Sequence, residues 1–138
     1  MKSYTEYLWF NTPERFQIIN ITDKVQEIVT KSKIKEGFAL VSAMHTSSSV
    51  YVSDDESGLK RDFQDFLDVL LPPDPKRYKH QHGADSNGDA HLRSILIHHE
   101  SIVPVTNGKL DLGPWQQIFY GEFDGRRKKR VIVKIIGE

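Results

Sequence analysis

The sequence contains no cysteine among its 138 residues. This absence excludes disulfides, thiolate nucleophiles and cysteine-based zinc sites, so any metal would need histidine, carboxylate, carbonyl or water ligands. Nineteen basic and nineteen acidic residues cancel. There is therefore no bulk-charge argument for binding nucleic acid or a membrane, and function has to be sought in local clusters of residues.

The sequence also lacks a long apolar run. No uninterrupted apolar stretch approaches the roughly 20 residues of a membrane span. Residues 1–6 lack the apolar core of a signal peptide. These absences predict a cytoplasmic protein, and the length predicts a single domain over residues 1–138.

The pattern of apolar residues predicts an α+β fold with a mostly antiparallel sheet and two or three helices. Helices are predicted from residue 23, through an amphipathic stretch that ends near residue 70, and over residues 89–98. The β-prone runs are residues 4–10, 15–21, 38–43, 50–52, 102–105, 110–112, 115–123 and 130–136.

Local signals mark the ends of these elements. Thr22 is predicted to cap the first helix, and the acidic residues 54–56 mark the start of the second. The first two strands are predicted to form a hairpin. Asn107-Gly108 signals a second hairpin, because both central residues of a type I′ turn need positive φ.

Histidines cluster in one turn-prone segment, residues 80–91, together with two aspartates, an asparagine and two glycines. His80, His82 and His91 lie there, while His45 follows the apolar run that ends at Ala43. Imidazole is a common transition-metal ligand and a common acid–base group near neutral pH. The segment and His45 are therefore a candidate site.

Small polar residues follow His45 directly. Thr46, Ser47, Ser48 and Ser49 offer hydroxyl and backbone N–H groups suited to phosphate oxygens. The alternative is a strand edge with a polar outer face. A Ser-His-Asp hydrolase is disfavoured, because the sequence contains no Gly-x-Ser-x-Gly elbow.

Two further segments carry chemical groups of interest. Trp115 could stack on a flat ring whose edge Gln116 would hydrogen-bond, but Trp115 is more readily a core or subunit-interface anchor. Within the basic run 126–130, Arg126 or Arg127 could hold phosphate. The alternative for this run is a solvated turn and strand start. Nucleic-acid binding is not expected, since no aromatic RNA-reading motif accompanies the run.

With these residues laid out, the chain resembles the YjbQ family, also called UPF0047. The resemblance rests on four stretches, which span Ala43 to the C-terminus: residues 45–49, residues 78–92, residues 103–118 with Gly113 and Trp115-Gln116, and Glu122-Phe123-Asp124-Gly125 with the basic run after it. It implies a strongly bent antiparallel sheet or sandwich, a homotrimer, and a site where His45 and the histidine-rich segment meet. Bacterial members are named secondary thiamine-phosphate synthases, which join a pyrimidine diphosphate to a thiazole phosphate and release pyrophosphate.

The resemblance also implies that the site sometimes holds a metal such as zinc. We expect His45, His80 and His91 as its ligands, with His82 in reserve and with Asp85, Asn87 and Asp89 orienting the imidazoles. The alternative is that these histidines make ordinary hydrogen bonds. His98-His99 is interpreted as a solvated helix end and left out of the site.

The sequence departs from the family pattern at three places. Pro114 replaces a usual Thr, Glu100 aligns with a usual Ser, and Ser53-Asp54-Asp55 stands where an Asn-Glu pair is common. If that pair takes part in chemistry, the activity could differ or be lost.

Three hypotheses follow. In the first, an enzyme acts on a phosphorylated small molecule with a catalytic set of His45, Thr46, Ser47 and Asp89. Its phosphate-binding residues would be Ser48, Arg126 and Arg127, and Trp115 and Gln116 would contact substrate. In the second, the same pocket binds a metal or phosphometabolite without turnover. In the third, the trimer surface itself is the function.

Overall fold

The computed structural model describes residues 1–81 and 86–138, and within these ranges the chain forms two antiparallel sheets and three α-helices. The strands are β1 (Lys2–Phe10), β2 (Gln17–Asn20), β3 (Glu36–Ala43), β4 (Ser48–Ser53), β5 (Glu100–Thr106), β6 (Lys109–Leu110), β7 (Gln117–Glu122) and β8 (Lys129–Gly137). The helices are α1 (Thr22–Ser32), α2 (Ser57–Leu70) and α3 (Gly88–Ile97), and a 3-10 turn spans Pro75–Arg77.

The larger sheet has the strand order β1-β8-β3-β5-β6, and the smaller has β2-β7-β4. In β8 every second side chain faces the core, where Val131, Val133 and Ile135 are fully buried. They share one apolar core with Val25 of α1 and Val50 of β4, so the core lies between the sheets and α1. The α+β prediction with a mostly antiparallel sheet is confirmed.

The predicted hairpin between the first two strands is wrong. β1 pairs with β8 in the larger sheet, whereas β2 pairs with β7 in the smaller one. The connections β1–β2 and β7–β8 both cross between the sheets, and they bond to each other. The N–H of Gly125 donates to the Arg15 carbonyl at 2.9 Å, and the N–H of Arg126 donates to the Thr12 carbonyl at 2.9 Å. Hydrophobic periodicity predicts a strand but not its partner, which explains the error.

Two local sequence signals correctly predicted the ends of elements. Asn107 and Gly108 adopt φ of 53° and 78° and join β5 to β6, as the turn prediction requires. The Glu56 carboxylate accepts from the N–H groups of Gly58 and Leu59, which satisfies the start of α2. At α1 the predicted cap is displaced. Thr22 is the first helical residue, and the Asn20 side chain accepts its N–H at 3.0 Å.

Two contacts fix α3 against β4 and thereby position the candidate site. The Ser94 hydroxyl donates to the Ser48 carbonyl at 2.7 Å, and the Ser49 hydroxyl donates to the His98 carbonyl. His45 lies in the turn that enters β4, so His91 on α3 is brought to the same side of the molecule. Among the described residues, none of the helices has the length and apolar content that a membrane span requires.

Candidate functional site

A cavity of about 550 Å³ opens where the turn before β4 meets α3, and we call it the histidine cavity. Its walls contain two of the predicted metal-ligating residues, His45 and His91. The lining residues are Ala43, Met44, His45, Thr46, His91, Ser94, Ile95, His98 and His99. The structure therefore brings His45 together with His91 of the histidine-rich segment.

The ring of His45 is fixed by Ser47. The backbone N–H of Ser47 donates to His45 Nδ1 at 3.2 Å, and the Ser47 Oγ lies 2.9 Å from the same nitrogen. A backbone N–H can only donate, so Nδ1 acts as an acceptor. The neutral ring then carries its proton on Nε2, which is the nitrogen left to meet a ligand in the cavity.

The Ser47 hydroxyl is held in turn by a buried lysine. Lys129 has a fully buried ammonium group that forms an ion pair with Glu122. The ammonium also donates to Ser47 Oγ at 2.7 Å and to the Asp124 carbonyl oxygen at 2.9 Å. Because an ammonium group only donates, Ser47 accepts from Lys129, and its own hydroxyl hydrogen remains to donate to His45 Nδ1.

The Glu122 carboxylate, like the ammonium group of Lys129, makes several hydrogen bonds. It accepts from the Tyr120 hydroxyl at 2.9 Å and from the Asp124 N–H at 3.2 Å, besides Lys129. Burial, with the adjacent carboxylate, raises the pKa of Tyr120, which keeps that hydroxyl protonated as a donor. Burial lowers the pKa of Lys129, and the Glu122 carboxylate opposes that shift. The alternative offered for the basic run 126–130, a solvated turn and strand start, holds for Lys129 as the strand start but not as a solvated residue, because its side chain is fully buried.

These surroundings lower the pKa of His45. Burial of the imidazole is the largest cause, followed by the positive charge of Lys129, while Glu122 acts in the opposite direction. The neutral form is favoured at neutral pH, so His45 presents an uncharged N–H donor to the cavity.

The hydroxyls after His45 have different roles. Thr46 is exposed and lines the histidine cavity, whereas Ser48 and Ser49 are fully buried. Ser48 Oγ donates to the His45 carbonyl at 3.4 Å, and Ser49 Oγ donates to the His98 carbonyl. Of the four predicted phosphate contacts in this stretch, Thr46 is the hydroxyl that faces the cavity.

The predicted catalytic Asp89 lies at the start of α3 and is almost fully buried. Arg15 binds it with two hydrogen bonds of 2.9 Å each. Sequence reasoning missed Arg15, because 74 positions separate it from Asp89 and no motif marks it. The carboxylate is thus used to fix α3 to the chain before β2.

Arg126 and Arg127, the predicted phosphate-binding pair, line a second cavity of about 360 Å³ that we call the arginine cavity. The lining residues are Arg15, Pro75, Ser86, Asn87, Asp124, Gly125, Arg126 and Arg127. Arg127 pairs with Asp124 at 3.4 Å, and Asn87 donates to the same carboxylate at 2.9 Å. Lys129 bonds to Ser47, which holds the ring of His45, and to the carbonyl of Asp124, which lines the arginine cavity, so it connects residues of the two cavities.

The remaining predicted residues lie further out. His80 is exposed, and its ring contacts His91 edge-on with centroids 4.8 Å apart. Trp115 is 75% exposed, so within this chain it is not a core residue. The Gln116 side chain accepts from the Gly113 N–H at 2.8 Å and lines a separate cavity with Ile102. His82 and Asp85 lie outside the described residues.

A zinc ion on His45, His80 and His91 would need a lone pair at His45 Nε2, and the donors aimed at Nδ1 disfavour that tautomer. In the part of the chain that the structure describes, the group of three possible ligands whose donor atoms converge is His98, His99 and Glu100. The first two also line the histidine cavity, although the sequence interpretation set them aside. As placed, the predicted set does not fit zinc at His45.

Two of the three departures from the family pattern lie away from the histidine cavity. Ser53 and Asp54 line another cavity beside Phe63, and Asp55 pairs with Lys60. Pro114 precedes the exposed Trp115. The third departure, Glu100, lies next to His99, which lines the histidine cavity.

Comparison with known proteins agrees with this description. The family model described as UPF0047 protein YjbQ-like matches residues 6–138. A UPF0047 protein of Archaeoglobus fulgidus is 43% identical over 94% of this chain and 98% of its own length. A UPF0047 protein of Methanothermobacter thermautotrophicus is 37% identical over 100% of this chain and 95% of its own length.

Solved structures show the same fold. A YbjQ-like protein of unknown function from Sulfolobus solfataricus superposes with a TM-score of 0.93 at 35% identity, covering 99% of both chains. A hypothetical protein from Aeropyrum pernix K1 gives a TM-score of 0.90 at 32% identity, covering 98% of this chain and 99% of its own. The chain belongs to the UPF0047 YjbQ-like family.

Proposed function

We propose that this YjbQ-like protein is an enzyme that acts on a phosphorylated small molecule, with His45 as a neutral hydrogen-bond donor to the substrate. The observation that carries the proposal is the fixed orientation of His45, whose Nδ1 accepts from Ser47 while the ring lines the histidine cavity. A neutral imidazole N–H in a partly buried site can stabilise charge that develops on an oxygen.

Nearby groups fit the same chemistry. The exposed hydroxyl of Thr46 and the ring of His91 line the cavity beside His45 and could contact phosphate oxygens. The buried ammonium of Lys129 adds a fixed positive charge behind Ser47. Such a site would mainly position its partners and neutralise leaving-group charge.

The specific reaction proposed is the one that the family resemblance suggests. A bond forms between the pyrimidine and the thiazole phosphate while the bond from the pyrimidine to its diphosphate oxygen breaks. Pyrophosphate leaves with that electron pair, and the N–H of His45 would donate to its developing charge. Arg126 and Arg127, which line the arginine cavity, would hold a phosphate group of a substrate.

We also propose that the enzyme is a homotrimer. Apolar side chains on α2 and α3 are exposed in the single chain, including Val69 at 83% and Ile95 at 71%, and Ile95 borders the histidine cavity. Exposed apolar groups of this kind are characteristic of an interface between subunits. Light scattering on the eluting protein should give three times the chain mass, and a monomer at micromolar concentration would refute the trimer.

Activity is tested by mixing the protein with a pyrimidine diphosphate and a thiazole phosphate and measuring both the joined product and pyrophosphate. His45→Ala should lower turnover roughly 10²- to 10³-fold, the usual cost of removing one donor that stabilises developing charge, with the melting temperature nearly unchanged. Thr46→Ala should lower it less. Thr30→Ala, on the exposed side of α1, is the matched control and should match the wild type.

Equal turnover in the wild type and His45→Ala would contradict the proposal. If the wild type forms no joined product, thiamine-phosphate synthesis is refuted. A phosphorylated ligand that raises the melting temperature and is recovered unchanged would then favour a non-catalytic binding protein.

A further inference from the structure

The chain that leaves α3 brings three possible metal ligands together at the mouth of the histidine cavity. His98 Nδ1 lies 3.2 Å from one Glu100 carboxylate oxygen, and His99 Nε2 lies 2.5 Å from the other. One donor atom from each residue falls within 4.8 Å of the other two. The imidazole rings are adjacent, with centroids 4.3 Å apart.

The imidazoles of His98 and His99 differ from that of His45 in the groups that their ring nitrogens face. The nitrogens of His98 and His99 face a carboxylate, which is the group that a divalent cation would also approach. Imidazole and carboxylate together suit zinc and its neighbours among the divalent transition metals. Both imidazoles are largely exposed, so ions could reach them from solution.

The backbone at His98 gives a second, independent observation. His98 has φ of 80° and ψ of 167°, a region that is essentially restricted to glycine. Neighbours hold it there, since its N–H donates to the Ser94 carbonyl at 2.9 Å and its carbonyl accepts from Ser49. A side chain maintained at a position suited to glycine points to a use for that side chain.

We propose that His98, His99 and Glu100 form a binding site for a divalent transition metal, with zinc as the best match. This metal site does not depend on the proposed catalytic function, because His45 is not one of its three ligands. Since His98 and His99 also line the histidine cavity, a bound cation would lie at its rim and attract anionic ligands.

The test is titration of the metal-stripped full-length protein with Zn²⁺ by calorimetry, and with Co²⁺ by visible absorption. The wild type should bind one ion per chain. His99→Ala and Glu100→Gln should each weaken binding roughly 10- to 100-fold or more, by analogy with the effect of altering metal-site residues. His80→Ala is the matched control and should bind as the wild type does. His98→Gly removes a ligand while relaxing the backbone, so weaker binding there cannot be attributed to misfolding.

Three results would overturn the proposal. They are no binding by the wild type, unchanged binding in both His99→Ala and Glu100→Gln, and loss of binding in His80→Ala with retention in His99→Ala. The last result would instead support the set His45, His80 and His91. None of these readouts depends on turnover, so they are separate from the test of the proposed function.

Discussion

Two groups of histidines border the same cavity and differ in what surrounds them. His45 is half-buried, and its inner nitrogen accepts from Ser47, which a buried Lys129 holds in place. His98 and His99 are exposed and turn their nitrogens toward Glu100. The same side chain is therefore prepared as a hydrogen-bond donor in one place and as a ligand in the other. The neighbour of the second nitrogen decides the chemistry of a histidine, not the histidine itself.

The two histidine environments also depend on different features of the fold. The donor at His45 depends on a charge pair that lies wholly inside the protein, with every donor of Lys129 satisfied. The ligand group depends on a strained backbone at His98.

The largest effect is expected from breaking the buried pair behind His45. Lys129→Met leaves Glu122 as an uncompensated buried charge and should lower the free energy of unfolding by about 3–5 kcal/mol, measured by urea denaturation. Lys134→Met, in the same strand but only half-buried, is the matched control and should change little. Replacing both Lys129 and Glu122 by Met should recover most of the loss. A single variant as stable as the control would show that the pair is not needed.

A smaller effect of opposite sign, an increase in the free energy of unfolding, is expected from a substitution at His98. His98→Gly should raise the free energy of unfolding by about 1–3 kcal/mol, because glycine adopts this φ and ψ without strain. His99→Gly is the control. Residue 99 is not among the positive-φ residues of the described chain. Glycine there should therefore lower the free energy of unfolding by about 0.5–1 kcal/mol, because it makes the unfolded chain more flexible. Destabilisation by His98→Gly would mean that the backbone at 98 is not strained.

The smallest effect concerns the titration of His45. Its pKa should lie below the ordinary value of about 6.5. Because the folded state favours the neutral ring, the associated stability is present above the ordinary pKa and is lost as the pH falls through the lowered one. The charged or titratable groups facing it are Lys129, Glu122, Arg127 and His91. Ser47→Ala removes a hydrogen bond to the neutral form and should raise the pKa of His45, a change worth about 1 kcal/mol. An NMR titration of the ring gives both values, and a wild-type pKa at or above the ordinary value would contradict the account.

Much of the fold could be predicted from local patterns. The apolar residues of β8 predicted a strand, and Asn107-Gly108 predicted the hairpin between β5 and β6. In both cases the information needed lies within a few neighbouring residues. The pairing of β1 with β8 instead depends on residues at opposite ends of the chain. Sequence periodicity carries no information about that choice.

The candidate site divides in the same way. His45 and His91 were predicted to meet, and they line one cavity. Lys129 could not be recognised, because a basic run at a turn is usually solvated and its burial depends on Glu122 and Ser47 in other segments. His98 and His99 are the exposed helix end that the sequence predicted. Their proposed use as ligands was not predicted, because nothing in a His-His-Glu sequence indicates a glycine-like backbone or a shared direction of the side chains.

The tautomer of His45 decides whether its ring faces the cavity as a donor or as a metal ligand, and it can be read from a long-range ¹H–¹⁵N spectrum of the histidine rings in neutral solution. His45→Gln assigns the signals by their loss. We expect Nε2 to carry the proton and Nδ1 to be unprotonated, because Ser47 donates to Nδ1. A proton on Nδ1 would contradict the account and would make Nε2 available as a metal ligand.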